Sequence, residues 1–498
     1  MGILNCRPSA PDLARRVFFV EKDLMEKISS RSVVMKFGGS SVEDTSAFRR
    51  VSRIIQSSAG RRPVVVVSAM LTATDTLLSA VQLAVAGQSD NAFELIETQL
   101  VRYAFVAHQL LGSDHLLEFD KRLDKSRHDI AAVLQSFSGR AEEHPLLQDV
   151  IVSYGERLSA KLLAYVLSED GLDACYVDAR RLIVTNDHHG RAEPIRERTY
   201  RNTERELLPL LDSGQIPVLG GFIGAHVGGA TTTLGRNGSD YTAALVGAAL
   251  SAQEIEIWTD VNGILSADPR VVSSATTVSH FSYDEAAALS YFGAKVLHPK
   301  TVRPAADMLI PIRILNSRSP DEPGTLVSSE TGSAASSVKT ITCKNGVSVL
   351  TLINDSSISH VELLAGVTEI LRLHGTDVIL SSASESRVTL VLEDDSIRPT
   401  FLSALETFGR LQLLDNKSLI AVVGNRLNVA PHILARMLDC LDGIDVSLIS
   451  DGGSETHFSL IADQSIALTV VTRLHDELFE SDGRTPYSHV SLIGQIAS

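Results

Sequence analysis

Val33-Val34-Met35-Lys36-Phe37-Gly38-Gly39-Ser40-Ser41-Val42 is the stretch on which the reading of the chain turns. A short, almost unbroken apolar run of this length suits a strand buried on both faces. It runs into a Gly-Gly-Ser turn, and Asp44 or Thr45 stands where a following helix would be capped. Glycines let backbone N–H groups approach phosphate oxygens, and Lys36 adds a compact positive charge beside them. Taken alone, the segment has a plain tight turn as its alternative reading. It is not a Walker A loop, because no GxxxxGK[ST] occurs, and it lacks the GxGxxG of a dinucleotide fold.

Outward from this segment, residues 33–327 alternate short β-branched runs with longer helical patterns, the rhythm of an α/β domain whose mostly parallel sheet is covered by helices. Strands are predicted over 33–37, 63–68, 216–222, 255–260 and 312–316. A Gly-, Ser- and Thr-rich stretch at 323–337 breaks the pattern and reads as a linker. Beyond it the chain repeats itself. Gly375-Thr376-Asp377-Val378-Ile379-Leu380-Ser381 is echoed by Gly443-Ile444-Asp445-Val446-Ser447-Leu448-Ile449-Ser450, and each copy continues to Ser-Glu, at Ser384-Glu385 and Ser454-Glu455. A helical pattern precedes each copy, and a strand over 347–353 or 419–423 precedes each helix, so each repeat is a βαββ unit. Two such small open sheets have exposed edges and need neighbours, which pairing with each other and across a dimer would provide.

At 498 residues the chain exceeds the roughly 250–300 at which a single core stops growing. The expected division is an extension at 1–32, the α/β domain at 33–327, a linker at 328–338 and βαββ units at 339–415 and 416–498. A formal net charge of -15 argues against nucleic acid, which demands clustered Lys and Arg. No apolar run approaches the roughly 20 residues that cross a bilayer. Cys6, Cys175, Cys343 and Cys440 show no CxxC spacing, so neither a zinc site nor a disulfide framework is supported, and a reducing cytoplasm fits. The extension carries Asp12, Glu21, Asp23 and Glu26, which a transit peptide would avoid.

A second constellation carries more chemistry: Gly221-Phe222-Ile223-Gly224, then Thr231-Thr232-Thr233-Leu234-Gly235-Arg236-Asn237-Gly238-Ser239-Asp240-Tyr241-Thr242-Ala243-Ala244. A hydroxyl-rich turn opening an Ala-rich helix binds anions, Arg236 can grip a carboxylate with two parallel hydrogen bonds, and Asp240 can hold Mg²⁺ or orient Lys36. Together with the segment at Lys36, this motif resembles the aspartate kinases of the amino-acid kinase superfamily. The likeness continues through Ser153-Tyr154-Gly155-Glu156-Arg157-Leu158-Ser159, Trp258-Thr259-Asp260-Val261-Asn262-Gly263-Ile264, Asp268-Pro269-Arg270 and Phe292-Gly293-Ala294-Lys295-Val296-Leu297-His298-Pro299.

The resemblance implies an αβα amino-acid kinase sandwich followed by two ACT-like, ferredoxin-like units, and transfer of the γ-phosphate of ATP, with Mg²⁺, to the side-chain carboxylate of L-aspartate. That reaction opens the route to lysine, threonine and methionine. By the same resemblance Lys36 and Asp240 form the catalytic pair, and Thr74, Glu156, Phe222, Arg236 and Ser239 line the aspartate pocket. Nucleotide contacts fall on Lys36, Gly38, Gly39, Ser40, Thr259, Asp260, Leu265, Arg270, Lys295 and Val296. Asn237 stands where many relatives have Gly, and Leu265 where a Tyr often faces the adenine. An amino-acid effector would sit near Ser384 and Glu385 in a homodimer or dimer of dimers. Lysine-sensitive relatives carry Asp at the position of Ile379, so weakened or altered lysine response is expected. The chain stops short of the homoserine dehydrogenase domain fused to some relatives and reads as monofunctional. Two rivals are a kinase of the same fold acting on glutamate or N-acetylglutamate, and a non-catalytic amino-acid sensor; the sensor predicts loss of Lys36 or Asp240.

Overall fold

The computed structural model describes residues 32–137, 140, 143–293, 297–329, 337–354, 358–450 and 454–480, so all of the extension 1–32 except its last residue lies outside the described residues. Packing divides them into two units: one from residue 32 to Ile264 together with Leu297–Ser329, the other comprising 265–293 and 337–480.

In the first unit the chain runs β1 (Val33–Phe37), α1 (Thr45–Ser57), β2 (Pro63–Val67), α2 (Ala73–Val85), α3 (Ser89–Leu110), α4 (Ser113–Ser136), α5 (His144–Glu169), β3 (Ala174–Val177), β4 (Val184–Thr185), α6 (Arg196–Asp212), β5 (Ile216–Gly220), β6 (Ile223–His226), β7 (Thr231–Thr233), α7 (Gly238–Ala249) and β8 (Glu254–Thr259). The main sheet of this unit has the order β3-β5-β2-β1-β8, continued by two strands from later in the chain, and these five are parallel to one another. All residues of β1, β2 and β5 are buried, as nearly unbroken apolar runs predict. Side chains alternate across the sheet. Val33, Met35 and Phe37 enter a core with Phe48 of α1, Leu77 of α2 and Leu158 of α5. Lys36 leaves by the opposite face, toward α7. The helix α7 comes close because it is built of small residues: a Cβ on Gly247 would lie 2.7 Å from Ile255 Cδ1.

The remaining elements of this stretch are β9 (His280–Ser282) and α8 (Tyr283–Tyr291) in the second unit, then α9 (Pro299–Asp307), β10 (Ile312–Asn316) and β11 (Thr325–Ser328) back in the first. β10 pairs parallel with β8, and β11 pairs antiparallel with β10. Two expectations change here. Thr325–Ser328, read as linker, is a strand. Residues 265–293, expected with the α/β domain, pack with the second unit, because Ala267 and Val272 enter a core with Ile341, Ile433 and Leu474.

The second unit continues through β12 (Ser337–Ile353), α10 (His360–His374), β13 (Leu380–Ser384), β14 (Arg387–Glu393), α11 (Pro399–Leu405), β15 (Arg410–Asn425), α12 (Pro431–Cys440), β16 (Val446–Ser450), β17 (His457–Asp463) and α13 (Ala467–His475). The βαββ order is present twice, and the strands form one antiparallel sheet in the order β13-β14-β12-β15-β17-β16. The central strands are far longer than predicted. Residues 349–353 of β12 pair with 410–414 of β15, while 337–347 pair with 417–425. Each repeat thus completes its sheet with a strand end lent by the other. Left-handed residues Gly346 and Asn416 mark the break between the two halves of each strand.

Candidate active site

The turns that follow β1, β2, β5 and β8 lie at the carboxyl ends of neighbouring parallel strands, where open α/β sheets bind ligands. Gly38 N–H donates to Trp258 O at 3.1 Å, Leu71 N–H to Gly39 O at 3.2 Å, and Gly221 N–H to Val67 O at 2.9 Å, so the four turns are stitched together. Gly39 is needed for close approach: a Cβ there would lie 2.9 Å from Ala69 O.

Lys36, at the end of β1, lies 2.7 Å from Asp240 in the first turn of α7, and both side chains are nearly buried. Asp240 Oδ1 makes the ion pair but accepts no aligned hydrogen bond. Asn237 caps α7 with φ 56°, a left-handed conformation that Asn tolerates, so the departure from Gly leaves the turn intact. Gly220 ends β5 and Gly221 follows it, between two helices. A Cβ on Gly220 would lie 3.0 Å from Glu156 Cβ on α5, and one on Gly221 would lie 2.6 Å from Ser239 Cβ on α7. Phe222 has φ 68°; its N–H donates to Thr242 Oγ1 at 3.0 Å, and its carbonyl accepts from Leu234 N–H at 2.9 Å.

Glu156 is 3% exposed, and its Oε2 has no partner among the described residues. Burial pushes its carboxyl up to about 8, against backbone hydrogen bonds from Glu156 itself and Ala69. A buried carboxyl with an open oxygen is suited to a cationic ligand. Arg236 is exposed and has no carboxylate partner among the described residues. Thr74 is half-buried in the first turn of α2. Thr259 Oγ1 donates to Asp260 Oδ1 at 3.1 Å, and Asp260 is exposed at the end of β8. Ser40 sits in the turn after β1.

The structure brings Lys36, Gly38, Gly39, Ser40, Glu156, Phe222, Ser239, Asp240, Thr259 and Asp260 to one end of the first unit's sheet. Leu265 and Arg270 belong to the second unit, where Arg270 is exposed and its guanidinium is engaged by Asp268 at 2.6 Å. Lys295 and Val296 lie outside the described residues. The helix before them is capped as expected, by a box of Ser282 and Glu285. Ser384 and Glu385 are exposed at the end of the edge strand β13. Trp258 is core, stacked on Phe37.

One reading is corrected. The three threonines of the hydroxyl-rich turn are the buried strand β7, and each hydroxyl serves the scaffold: Thr231 with Arg180, Thr232 with Thr185 and Thr233 with Asp149. The sequence reading missed Ser68, whose Oγ meets Ser239 Oγ at 3.0 Å. Its signal was present: a hydroxyl directly after the Val-rich run of β2.

The amino acid kinase family model matches residues 31–316, and an ACT domain model matches residues 420–478. The lysine-sensitive aspartokinase 3 of Escherichia coli is 34% identical over 91% of this chain and 100% of its own length. Chloroplastic aspartokinase 1 of Arabidopsis thaliana is 33% identical over 90% of this chain and 80% of its own. The chain belongs to the aspartokinase family. It is an ATP-dependent amino-acid kinase with C-terminal ACT domains. Among solved structures, E. coli aspartokinase III in complex with aspartate and ADP, termed the R-state, matches with a TM-score of 0.78 and 33% identity over 90% of this chain and all of that one. The same protein with lysine and aspartate, termed the T-state, matches with 0.73 over 90% of this chain and 99% of that one.

Proposed function

We propose that the enzyme binds L-aspartate with its ammonium on Glu156 and a carboxylate on Arg236, beside Thr74, Phe222 and Ser239. The side-chain carboxylate then attacks the γ-phosphate of ATP in line, giving 4-phospho-L-aspartate and ADP. The observation that carries this reading is the buried, open carboxyl oxygen of Glu156 on the same sheet end as the Lys36–Asp240 pair. An attacking carboxylate has no proton to remove, so the reaction depends on positioning and positive charge. Lys36, held by Asp240, supplies that charge, and the turn Gly38-Gly39-Ser40 offers backbone to phosphate oxygens. Thr259 and Asp260 face the nucleotide.

Mg²⁺ would enter with the nucleotide, neutralising charge on its phosphates. The carboxylate whose chemistry suits it is Asp240, although Lys36 competes for the same oxygen at 2.7 Å. Roles for Leu265, Arg270, Lys295 and Val296 rest on the family resemblance, as do a cytoplasmic location, a homodimer or dimer of dimers, an effector held by Ser384 and Glu385, and a place at the head of lysine and threonine synthesis. No helix among the described residues is long and apolar enough to cross a membrane. A coupled assay with MgATP against a panel of amino acids tests the substrate: turnover confined to aspartate supports the reading, and preference for glutamate or N-acetylglutamate overturns it.

A further inference from the structure

Asp149, in the second turn of α5, is fully buried, and three groups converge on its carboxylate. Thr233 Oγ1 donates to Oδ1 at 2.5 Å, Gly190 N–H lies 3.0 Å from Oδ1 and 3.1 Å from Oδ2, and His189 Nδ1 lies 2.7 Å from Oδ2. The chain leaves Thr233 directly into Leu234-Gly235-Arg236. The turn bearing His189 and Gly190 backs the same loop: Ala192 N–H donates to Thr233 O at 2.8 Å, and a Cβ on Gly235 would lie 3.4 Å from Gly190 O. One buried carboxylate therefore ties the root of the Arg236 loop, and the turn behind it, to α5.

The helix is what gives this tie a consequence. Asp149 and Glu156 are seven residues apart, two turns of the same face and about 10 Å along the axis at the usual helical rise. We propose that Asp149, with Thr233 and His189, is a positioning clamp that fixes Arg236 relative to Glu156 through the rigid helix α5, and so sets the span between the carboxylate and ammonium partners of the substrate. Neither Asp149 nor its partners touch the substrate; they act through Arg236. The inference rests on the assignment of Arg236 and Glu156 to the aspartate pocket.

Thr233→Val removes the hydroxyl at nearly constant volume, and His189→Gln loosens the opposite side of the clamp at a partly exposed position. Both are expected to lower kcat/KM for aspartate about 10- to 100-fold, the cost of misplacing a binding group by up to about 1 Å. KM for ATP should stay within about twofold. Thr233→Ser, which keeps the hydroxyl, should recover most of the loss. Thermal melting of all three proteins establishes that they fold, and should Thr233→Val fail to fold, His189→Gln carries the test alone. Equal loss toward ATP and aspartate, no loss in a folded His189→Gln protein, or a Thr233→Ser protein as defective as Thr233→Val overturns the clamp. Arg236→Ala runs beside them: if it leaves KM for aspartate unchanged, the pocket assignment has failed, whereas a raised KM there with unaffected clamp variants refutes the clamp alone.

Discussion

Replacing Glu156 by Gln keeps its shape and removes its charge, and the structure gives both the size and the sign of the change in stability. Burial raises the Glu156 carboxyl from an ordinary 4.5 to about 8. At 1.36 kcal/mol per pH unit, that rise corresponds to roughly 5 kcal/mol of native-state penalty on the ionised form. Because the folded pKa lies above the unfolded one, the native protein holds a proton that the unfolded chain has released between about pH 5 and pH 8. Stability conferred by this group is therefore greatest below that window and falls as pH rises through it, by up to about 1.4 kcal/mol per unit. Glu156→Gln abolishes this slope. Its stability relative to wild type should rise steadily from pH 5 to 8 in the absence of aspartate. The assay is urea unfolding followed by the fluorescence of Trp258, the one tryptophan of the chain, which reports the core of the kinase unit. A gap between the two proteins that stays flat over this range would falsify the argument that Glu156 is held neutral. The same logic predicts that aspartate, which needs the carboxylate, binds wild type more tightly as pH rises toward 8 and displaces a proton. Glu156→Gln should lose about 10²-fold or more in kcat/KM for aspartate, since a desolvated ammonium is left unpaired.

Lys36→Met removes a charge preorganised for the transferring phosphoryl group, so kcat should drop about 10²-fold or more while circular dichroism stays unchanged; wild-type turnover would refute the role. Arg236→Ala should raise KM for aspartate and spare KM for ATP, and the opposite pattern would show the pocket divided wrongly. Titrating lysine, threonine and methionine against initial rates, with Glu385→Ala as control, should show weakened or altered lysine response. Strong inhibition at micromolar lysine would refute the argument from Ile379.

The gathering of Lys36, Asp240 and Glu156 at one end of the sheet was legible because strand and motif coincide in sequence. The run ending at Lys36, the turn before Asp240 and the helix bearing Glu156 each announce themselves within about ten residues. What was illegible depends on partners distant in the chain. Thr231-Thr232-Thr233 looks like a binding turn because nothing local shows that Arg180, Thr185 and Asp149 consume the hydroxyls. Asp149 itself is one acid on a helix, and only the fold shows it buried against the turn at His189, forty residues away. Residues 265–293 read as a continuation of the α/β domain because their affiliation is decided by Ile341 and Leu474, not by their own periodicity.

The repeat was plain in sequence, and so was its need for a neighbour, but the form of the answer was not. Local patterning showed 347–353 and 419–423 because only those parts of β12 and β15 follow the repeat. The remaining parts are the lent ends. Neither βαββ copy closes its sheet alone, so the two are expected to fold as one cooperative body. Ile379 sits where the two copies meet. Asp377 lies outside the strand, which begins at Leu380. Ile379 is buried, in a core with Phe292, Val349, Val391 and Leu419, residues of both copies and of the segment that follows α8. Tyr291 Oη reinforces that contact, donating to the carbonyls of Val378 and Ile379 at 2.9 Å. A ligand at the edge of the first copy that moved the backbone at Val378 or Ile379 would therefore disturb the packing of Tyr291 and Phe292. An apolar residue at 379 strengthens this core and leaves no carboxylate there for a cationic effector.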